Sequence, residues 1–396
     1  MKITGIVCEY NPMHNGHLHH IRQTRLNGAT HIIAVMSGNF VQRGETAVMD
    51  KFRRGSLALK GGADLVIEIP AVYCLSSAEF YARGAVSIMN DLGCVDEISF
   101  GSESGDIKLL SEIARAAASI PQETLKSAME KGMTYPAALS AAIAERYGAE
   151  TAAAASSPNN ILAIEYLKAL DFLDSDIKPF TVSRHGAGHD SENTSGEFAS
   201  ASYIRECMAE QKEFGEFIPD YVRQEYENCR LDGKISRMEN LERIILYKLR
   251  TAPLSELKNL PDVGQGLEYR LKQSAETGSV GELLESIKTK RYTMARLKRI
   301  LLNMLIGTTK EDLQTLPPYA RILAMNERGR EILSQCKNSS IPVSTSLSKL
   351  AQTGKAAERF AFIEGTASDV YGLSQDIAGS KSDDFRSAVR IEKNEY

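Results

Sequence analysis

The chain has 396 residues, 43% of them hydrophobic and 25% charged, a balance that excludes a disordered or fibrous protein and is long enough for more than one core. Its net charge of −4, from 47 basic and 51 acidic residues, means that a polyanion must be met by a local patch and not by the overall field. Six cysteines (Cys8, Cys74, Cys94, Cys207, Cys229, Cys336) form no CxxC pair, the first apolar run is too short for a signal-peptide core, and no stretch approaches about 18 uninterrupted apolar residues, so a reduced, cytoplasmic protein without a membrane span is expected.

In chain order, the apolar run Ile3–Tyr10 predicts a first strand, followed by a helix from about Gly16 to Leu26 and a second strand at His31–Met36. A helix over Asp50–Lys60 leads to a strand at Leu65–Pro70, and a helix over Ser77–Asn90 leads to one at Glu97–Gly101. Short β-branched runs alternating with helices predict an α/β fold with a doubly wound parallel sheet, whose ligand lies at the carboxyl ends of the strands. Asp106–Leu173 reads as helical and alanine-rich, broken at Pro121, Pro136 and Pro158. A last strand at Pro179–Arg184, a polar loop from His185 to Glu197 and a helix opening near Ser200–Ser202 follow. Residues 1–225 are therefore expected to form the catalytic domain. Residues 230–396, with helical spacing at Met238, Leu241, Ile244, Ile245 and Leu249, are expected to form a mostly α-helical C-terminal domain whose end, Ala378–Tyr396, frays.

The chemistry is concentrated behind the first strand, in Cys8-Glu9-Tyr10-Asn11-Pro12-Met13-His14-Asn15-Gly16-His17. A helix opening near Gly16 points unpaired N–H groups and a positive dipole end at an anion. Gly16 lacks the Cβ that would hold a phosphate off the backbone. His14 and His17 can each donate a hydrogen bond to a phosphoryl oxygen as charge builds up in the transition state. Zinc is the competing reading of a cluster that also contains His19 and His20, but HExxH geometry is absent and no metal site is expected. On the residues alone His19 and His20 read as incidental.

The strand-loop-helix carrying His14-Asn15-Gly16-His17 resembles the HxGH signature of the nucleotidyltransferase superfamily, and Ala199-Ser200-Ala201-Ser202-Tyr203-Ile204-Arg205 is similar to its ISSTxIR motif, with serine in place of the usual threonine. The resemblance implies that Ser200, Ser202 and Arg205 hold the β and γ phosphates; for the serines an ordinary helix N-cap is the alternative. More narrowly, the stretches Cys8–Pro12, Met36–Glu45, Ser157–Leu162 and Arg184–His189 together resemble the bacterial tRNA(Met) cytidine acetate ligase family. That resemblance implies a ligase that consumes ATP and acetate, forms acetyl-adenylate and pyrophosphate, and passes the acetyl group to N4 of the wobble cytidine of elongator tRNA(Met). ATP is then a substrate, Mg²⁺ accompanies it, and no tightly bound cofactor is expected. By position the family's ATP site falls on Val7, Cys8, Glu9, Tyr10, Asn11, Pro12, Met13, His14, Asn15, Gly16, His17, Leu18, His19 and His20, and on Gly101, Asn159, Arg184 and His185. Locally, Gly101 ends a strand where a missing side chain lets a nucleotide approach, the Asn159 amide can donate and accept, and Arg184 suits a bidentate phosphate contact. Arg43 with Lys51, Arg53 and Arg54 reads either as a cationic cluster facing pyrophosphate or tRNA or, for the last three, as a solvated helix face.

Between Ser286 and Lys310 stand seven basic residues and no acid. Lys288, Lys290, Arg291, Arg296, Lys298 and Arg299 are expected to contact tRNA phosphates from the polar face of an amphipathic helix, and Tyr292 to stack on an unpaired base; lysines that only aid solubility are the alternative. A second enzyme reading, an adenylyltransferase joining AMP to a small phosphorylated cofactor precursor, would need neither this segment nor the helical C-terminal half. A non-catalytic nucleotide- or RNA-binding protein would not need the two histidines and Arg205.

Overall fold

The computed structural model of the protein describes residues 1–133, 135–183, 196–289, 292–381, 384–386 and 390–391. Its strands are β1 (Ile3–Cys8), β2 (His31–Ser37), the short hairpin β3 (Phe40–Val41) and β4 (Glu45–Thr46), β5 (Leu65–Ile69), β6 (Glu97–Ser102), β7 (Lys178–Ser183), β8 (Ala320–Met325), β9 (Val343–Ser344) and β10 (Arg390–Ile391). All but the hairpin join one sheet in the order β10-β8-β5-β2-β1-β6-β7, with β9 beside β8. From β5 to β7 the pairings are parallel. After β1 the chain steps outward through β2 and β5, then crosses to the far side of β1 for β6 and β7. The strand order thus reverses between β1 and β6, and in open α/β sheets a ligand crevice forms at that point.

The period-2 alternation of strand residues explains why the sheet carries helices on both faces. Ile32, Ala34 and Met36 of β2 join Ile6 of β1 in one core, against Leu57 and Ala58 of the helix α2 (Lys51–Lys60). Ile33 and Val35 point the other way, with Leu65, Ile67 and Ile69 of β5, into a second core against the helix Ala78–Asp91. Both faces are dry, so the strands read as continuous apolar runs.

The C-terminal half is mostly helical, as expected, but it also returns to the sheet. Strand β8 pairs antiparallel with β5, and the helical pattern of the surrounding sequence had hidden it. Leu297, Ile300, Leu301 and Phe360 lie in the same core as Ile33 and Ile67. A buried ionic cluster reinforces this junction. Lys51 Nζ lies 2.6 Å from Glu68 Oε1 and 2.9 Å from Asp384 Oδ2, while Arg321 Nη1 and Nη2 reach Glu68 and Asp384 at 3.1 and 2.8 Å. The expectation that the stretch from Ala378 frays is therefore corrected at Asp384, whose carboxylate is 2% exposed and anchors β8. Two basic and two acidic side chains hydrogen-bonded to one another in a dry interior satisfy each other, and removing one would strand the rest.

Candidate active site

Helix α1 (Asn15–Leu26) opens directly behind β1, and its first turn is closed by its own histidines. His14 is the N-cap: its Nδ1 accepts the Gly16 N–H at 3.1 Å, while His17 Nδ1 accepts the His14 N–H at 3.2 Å. This is a capping box in which imidazoles replace the usual hydroxyl and carboxylate. An Nδ1 that accepts a backbone N–H carries no proton, so each neutral ring bears its proton on Nε2. The two rings stack with centroids 3.7 Å apart, Tyr10 meets His17 edge-on at 4.9 Å, and both imidazoles line one cavity of about 250 Å³. Gly16 has a more local purpose than phosphate approach: a Cβ there would stand 2.9 Å from His14 Cε1 and would displace the cap.

The cavity lies across the carboxyl ends of β1, β6 and β7, where the strand order reverses. Of the residues expected at the nucleotide, Val7, Cys8, Glu9, Tyr10, Asn11, His14, Gly16, His17, His19, His20, Gly101, Asn159, Ser200, Ser202 and Arg205 line it. Pro12, Met13, Asn15 and Leu18 do not. Met13 is in the core under α1, and the Asn15 amide instead donates to the carbonyls of Glu197 and Glu216 at 3.0 and 2.9 Å, tying α1 to the chain both before and after the serine-arginine motif. Arg184 and His185 fall outside the described residues. His20, which seemed incidental, lines the cavity and bonds Ser99 Oγ at 2.9 Å through Nε2.

The serine-arginine motif is also partly engaged in its own fold. Ser200 is the N-cap of the helix Ala201–Glu210, accepting the Tyr203 N–H at 3.1 Å, so the ordinary capping role holds for its hydroxyl. Arg205 donates to the Asn11 carbonyl at 2.9 Å and stands 3.5 Å from Glu45, which Lys298 approaches at 2.8 Å. Burial opposes the charge on Glu45, but Lys298 and then Arg205 and Arg43 outweigh it and hold the carboxyl below its ordinary range. Asn159 is gripped by Glu103, whose carboxylate accepts the Asn159 amide at 2.7 Å and the Asn160 N–H at 2.8 Å.

The cationic cluster expected on α2 is corrected by its surroundings. Arg54 is 1% exposed and donates to the backbone carbonyls of Glu9, Ser37, Gly38 and Met49, clamping the loops that follow β1 and β2. Lys51 belongs to the buried cluster and Arg53 pairs with Glu225 and Asp50. Arg43 is the member that lines the cavity. Beside it Glu9 accepts the Gln42 N–H at 2.8 Å; burial pushes its carboxyl up, against the pull of that N–H and of Arg205, Arg54 and Arg43.

The basic segment fares differently. In the helix Met294–Ile306, Arg299 is 7% exposed, 3.0 Å from Asp262, and Lys298 pairs with Glu45. Arg296 donates to the Asp262 carbonyl at 2.6 Å and lies over the Tyr292 ring. Tyr292 is 5% exposed, which removes it as a stacking platform for a base. Lys288 is exposed beside Glu285, and Lys290 and Arg291 are outside the described residues.

Sequence reasoning missed the wall of the cavity formed by Tyr81, Phe100 and Tyr166. Phe100 carried a signal, since it precedes the glycine at the end of β6; the tyrosines lie inside helices, where nothing in the spacing distinguishes cavity from core. Among the described residues no group of three or more His, Cys, Asp or Glu side chains is arranged to hold a metal ion, and no helix is long and apolar enough to cross a membrane.

Comparison with known proteins decides the family. Residues 1–384 match the family model described as HIGH Nucleotidyl Transferase. A tRNA(Met) cytidine acetate ligase of Acetivibrio thermocellus is 40% identical over 94% of each chain, and one of Caldanaerobacter subterraneus is 39% identical over 99% of this chain and all of its own length. The chain belongs to the tRNA(Met) cytidine acetate ligase family. Among solved structures, Thermotoga maritima TmcAL superposes with a TM-score of 0.94 at 32% identity over the whole of both chains, and the same protein bound with alpha-thio ATP gives 0.92 at 31%. As a family member the chain is an enzyme, a ligase of the HIGH nucleotidyltransferase fold.

Proposed function

We propose that the protein activates acetate with ATP and transfers the acetyl group to N4 of the wobble cytidine of elongator tRNA(Met). The observation that carries the reading is the reciprocal imidazole cap at the head of α1, inside a cavity at the carboxyl ends of the parallel strands; the names of the relatives and the nucleotide analogue bound to the T. maritima neighbour support it. An acetate oxygen attacks the α-phosphorus, the bond from that phosphorus to the bridging oxygen breaks, and pyrophosphate leaves with the electron pair. The product is the mixed anhydride acetyl-adenylate, formed without a covalent bond to the protein. His14 and His17 present Nε2–H to the oxygens that gain charge, and because backbone bonds fix their tautomers beforehand no reorganisation is needed at the moment of reaction. Arg43 and Arg205 supply positive charge at the same rim, with Ser202 and Asn159 as further polar contacts to the nucleotide. Mg²⁺, in this reading, is carried in by the triphosphate as part of the substrate. In the second step the cytidine N4 attacks the acetyl carbon, AMP leaves, and N4 loses a proton. A tRNA substrate goes with a cytoplasmic location. For its phosphates, Lys288 with Lys290 and Arg291 is the part of the basic segment that this reading retains, since Arg296, Lys298 and Arg299 are tied to distant parts of the fold, whereas Lys288 is exposed and meets the nearby Glu285.

The test is to incubate the protein with radiolabelled acetate, ATP and bulk tRNA at low salt. Label in RNA is the expected result. ATP turnover without RNA labelling would overturn acetyl transfer to tRNA, and absence of turnover with any carboxylate would sink the ligase reading and leave the adenylyltransferase alternative.

A further inference from the structure

The cavity has two ends of different chemistry, and phosphate binding accounts for one of them. Tyr10 and Ala199, near the imidazoles, belong to the core on one face of the sheet, whereas Tyr81, Phe100 and Tyr166 belong to the core on the other. Each of these three rings lines the cavity while keeping only 3, 3 and 5% of its surface exposed. They are held in place: the Tyr81 hydroxyl lies 3.2 Å from Ser37 Oγ, and the Phe100 and Tyr166 rings meet at 5.6 Å with a 44° tilt. A wall packed this way into a dense interior does not recede to admit a larger group. Burial first, and then the nearby Glu9 carboxyl, push the hydroxyls of Tyr81 and Tyr166 up, so both stay neutral and the corner stays uncharged at its floor.

Resting on the adenylation reading above, we propose that this aromatic corner is the acyl subsite: the alkyl tail of a short carboxylate packs against Tyr81, Phe100 and Tyr166 while its carboxylate points back toward Arg43 and the imidazoles. A cytidine delivered by a macromolecule enters from solvent, whereas these rings keep 5% or less of their surface exposed. The fixed wall sets the length of the acyl chain: a methyl group fits and further methylenes collide. Tyr81, Phe100 and Tyr166 are thereby specificity-determining residues, distinct from the groups that stabilise the phosphate.

The experiment is carboxylate-dependent ATP–pyrophosphate exchange by the full-length protein with formate, acetate, propionate and butyrate. For the wild type, kcat/KM is expected to fall about tenfold or more for each methylene beyond acetate. In Tyr166→Leu and Phe100→Leu the butyrate-to-acetate ratio is expected to rise at least about tenfold, with KM for ATP within about twofold of wild type. A raised KM for ATP with an unchanged acyl ratio would assign the corner to adenine and overturn the proposal. Unaltered exchange with impaired acetyl transfer to tRNA would assign it to the cytidine, with the same consequence. Should both variants fail to fold, the wild-type series decides, because a flat response from acetate to butyrate contradicts a fixed wall. Absence of exchange with every carboxylate is a different result: it removes the adenylation reading itself, and the subsite with it.

Discussion

The first turn of α1 and the helix Met294–Ile306 both carry basic side chains, but the imidazoles of α1 line the cavity, whereas Lys298 of the second helix pairs with Glu45 and Arg299 with Asp262. In α1 each ring uses one nitrogen on its own helix backbone while the ring itself lines the cavity. In Met294–Ile306 the long side chains turn inward, to the Asp262 carboxylate and carbonyl and to the Gln42 carbonyl. A short side chain with a local backbone partner stays aimed where its helix aims it. A long one goes to whichever acceptor the tertiary structure supplies, and its rotamer freedom makes that capture easy.

The largest expected effect tests the α1 side of this contrast. His17→Asn keeps an acceptor, Oδ1, close to where Nδ1 receives the His14 N–H, but removes Nε2–H. Adenylate formation should fall by about 10²–10³, the usual loss for one preorganised donor, while the melting temperature and tRNA affinity stay near wild type. Exchange retained within tenfold would mean that the ring acts as a cap and little else.

On the other side, Arg299→Met should act on stability. It leaves Asp262 without its cation in a partly dry site, at a cost of about 3 kcal/mol; the low end of the usual range applies because the Asp262 side chain keeps 25% of its exposure. Denaturant titration reads this directly. The salt dependence of tRNA binding should keep its slope, and a slope reduced by about 1 with unchanged stability would restore the residue to the RNA surface.

Gly16→Ala separates the two consequences within one residue. Alanine is the better helix former by up to about 1 kcal/mol, which offsets the roughly 1 kcal/mol lost with the displaced cap, so stability should stay near wild type. Its Cβ would press on the His14 ring, whose Nδ1 lies 3.0 Å away, and adenylation should drop about tenfold. Full activity would show that His14 can move without harm.

These contrasts also explain what the chain discloses before it folds. Strands β1, β2, β5 and β6 are buried on both faces, so apolar runs marked them, and the half-buried edge strand β7 was marked by its Phe180-Thr181-Val182 run; β8 was missed because its partner, β5, is far away in sequence and its neighbours are helical. The histidine turn was legible because its partners lie two and three residues away. Arg54 and Arg299 were misjudged because their acceptors, among them Gly38, Glu9 and Asp262, are brought to them by the fold. The aromatic wall of the cavity belongs to the same class. Its three members come from β6 and two separate helices, and only their convergence distinguishes them from ordinary core.

The last effect concerns the junction between the two halves of the chain. Glu364 accepts the Ala71 N–H at 2.5 Å and faces Lys51 at 3.9 Å, beside Glu68 and Asp384. Burial, with Glu68 adding to it, pushes its carboxyl from 4.5 up to about 8. A carboxyl whose folded value is raised binds its proton more tightly in the native state. Below the unfolded value it has no effect on stability; as pH rises from about 4.5 to about 8, the unfolded chain releases the proton first and stability falls, with a slope of at most about 1.4 kcal/mol per pH unit from this group. Asp384 has the opposite sign: burial opposes its charge, but Lys51 and Arg321 hold it well below the carboxylate range, so its contribution is lost only in acid, below about 3.8. Glu364→Gln keeps an acceptor for Ala71 and cannot ionise. Relative to wild type it should gain stability steadily between pH 5 and pH 8 and no further above that, as read by denaturant titration at each pH. A difference that does not change with pH would place the Glu364 proton outside the folding equilibrium, and a gain confined to acid would reverse the assigned sign.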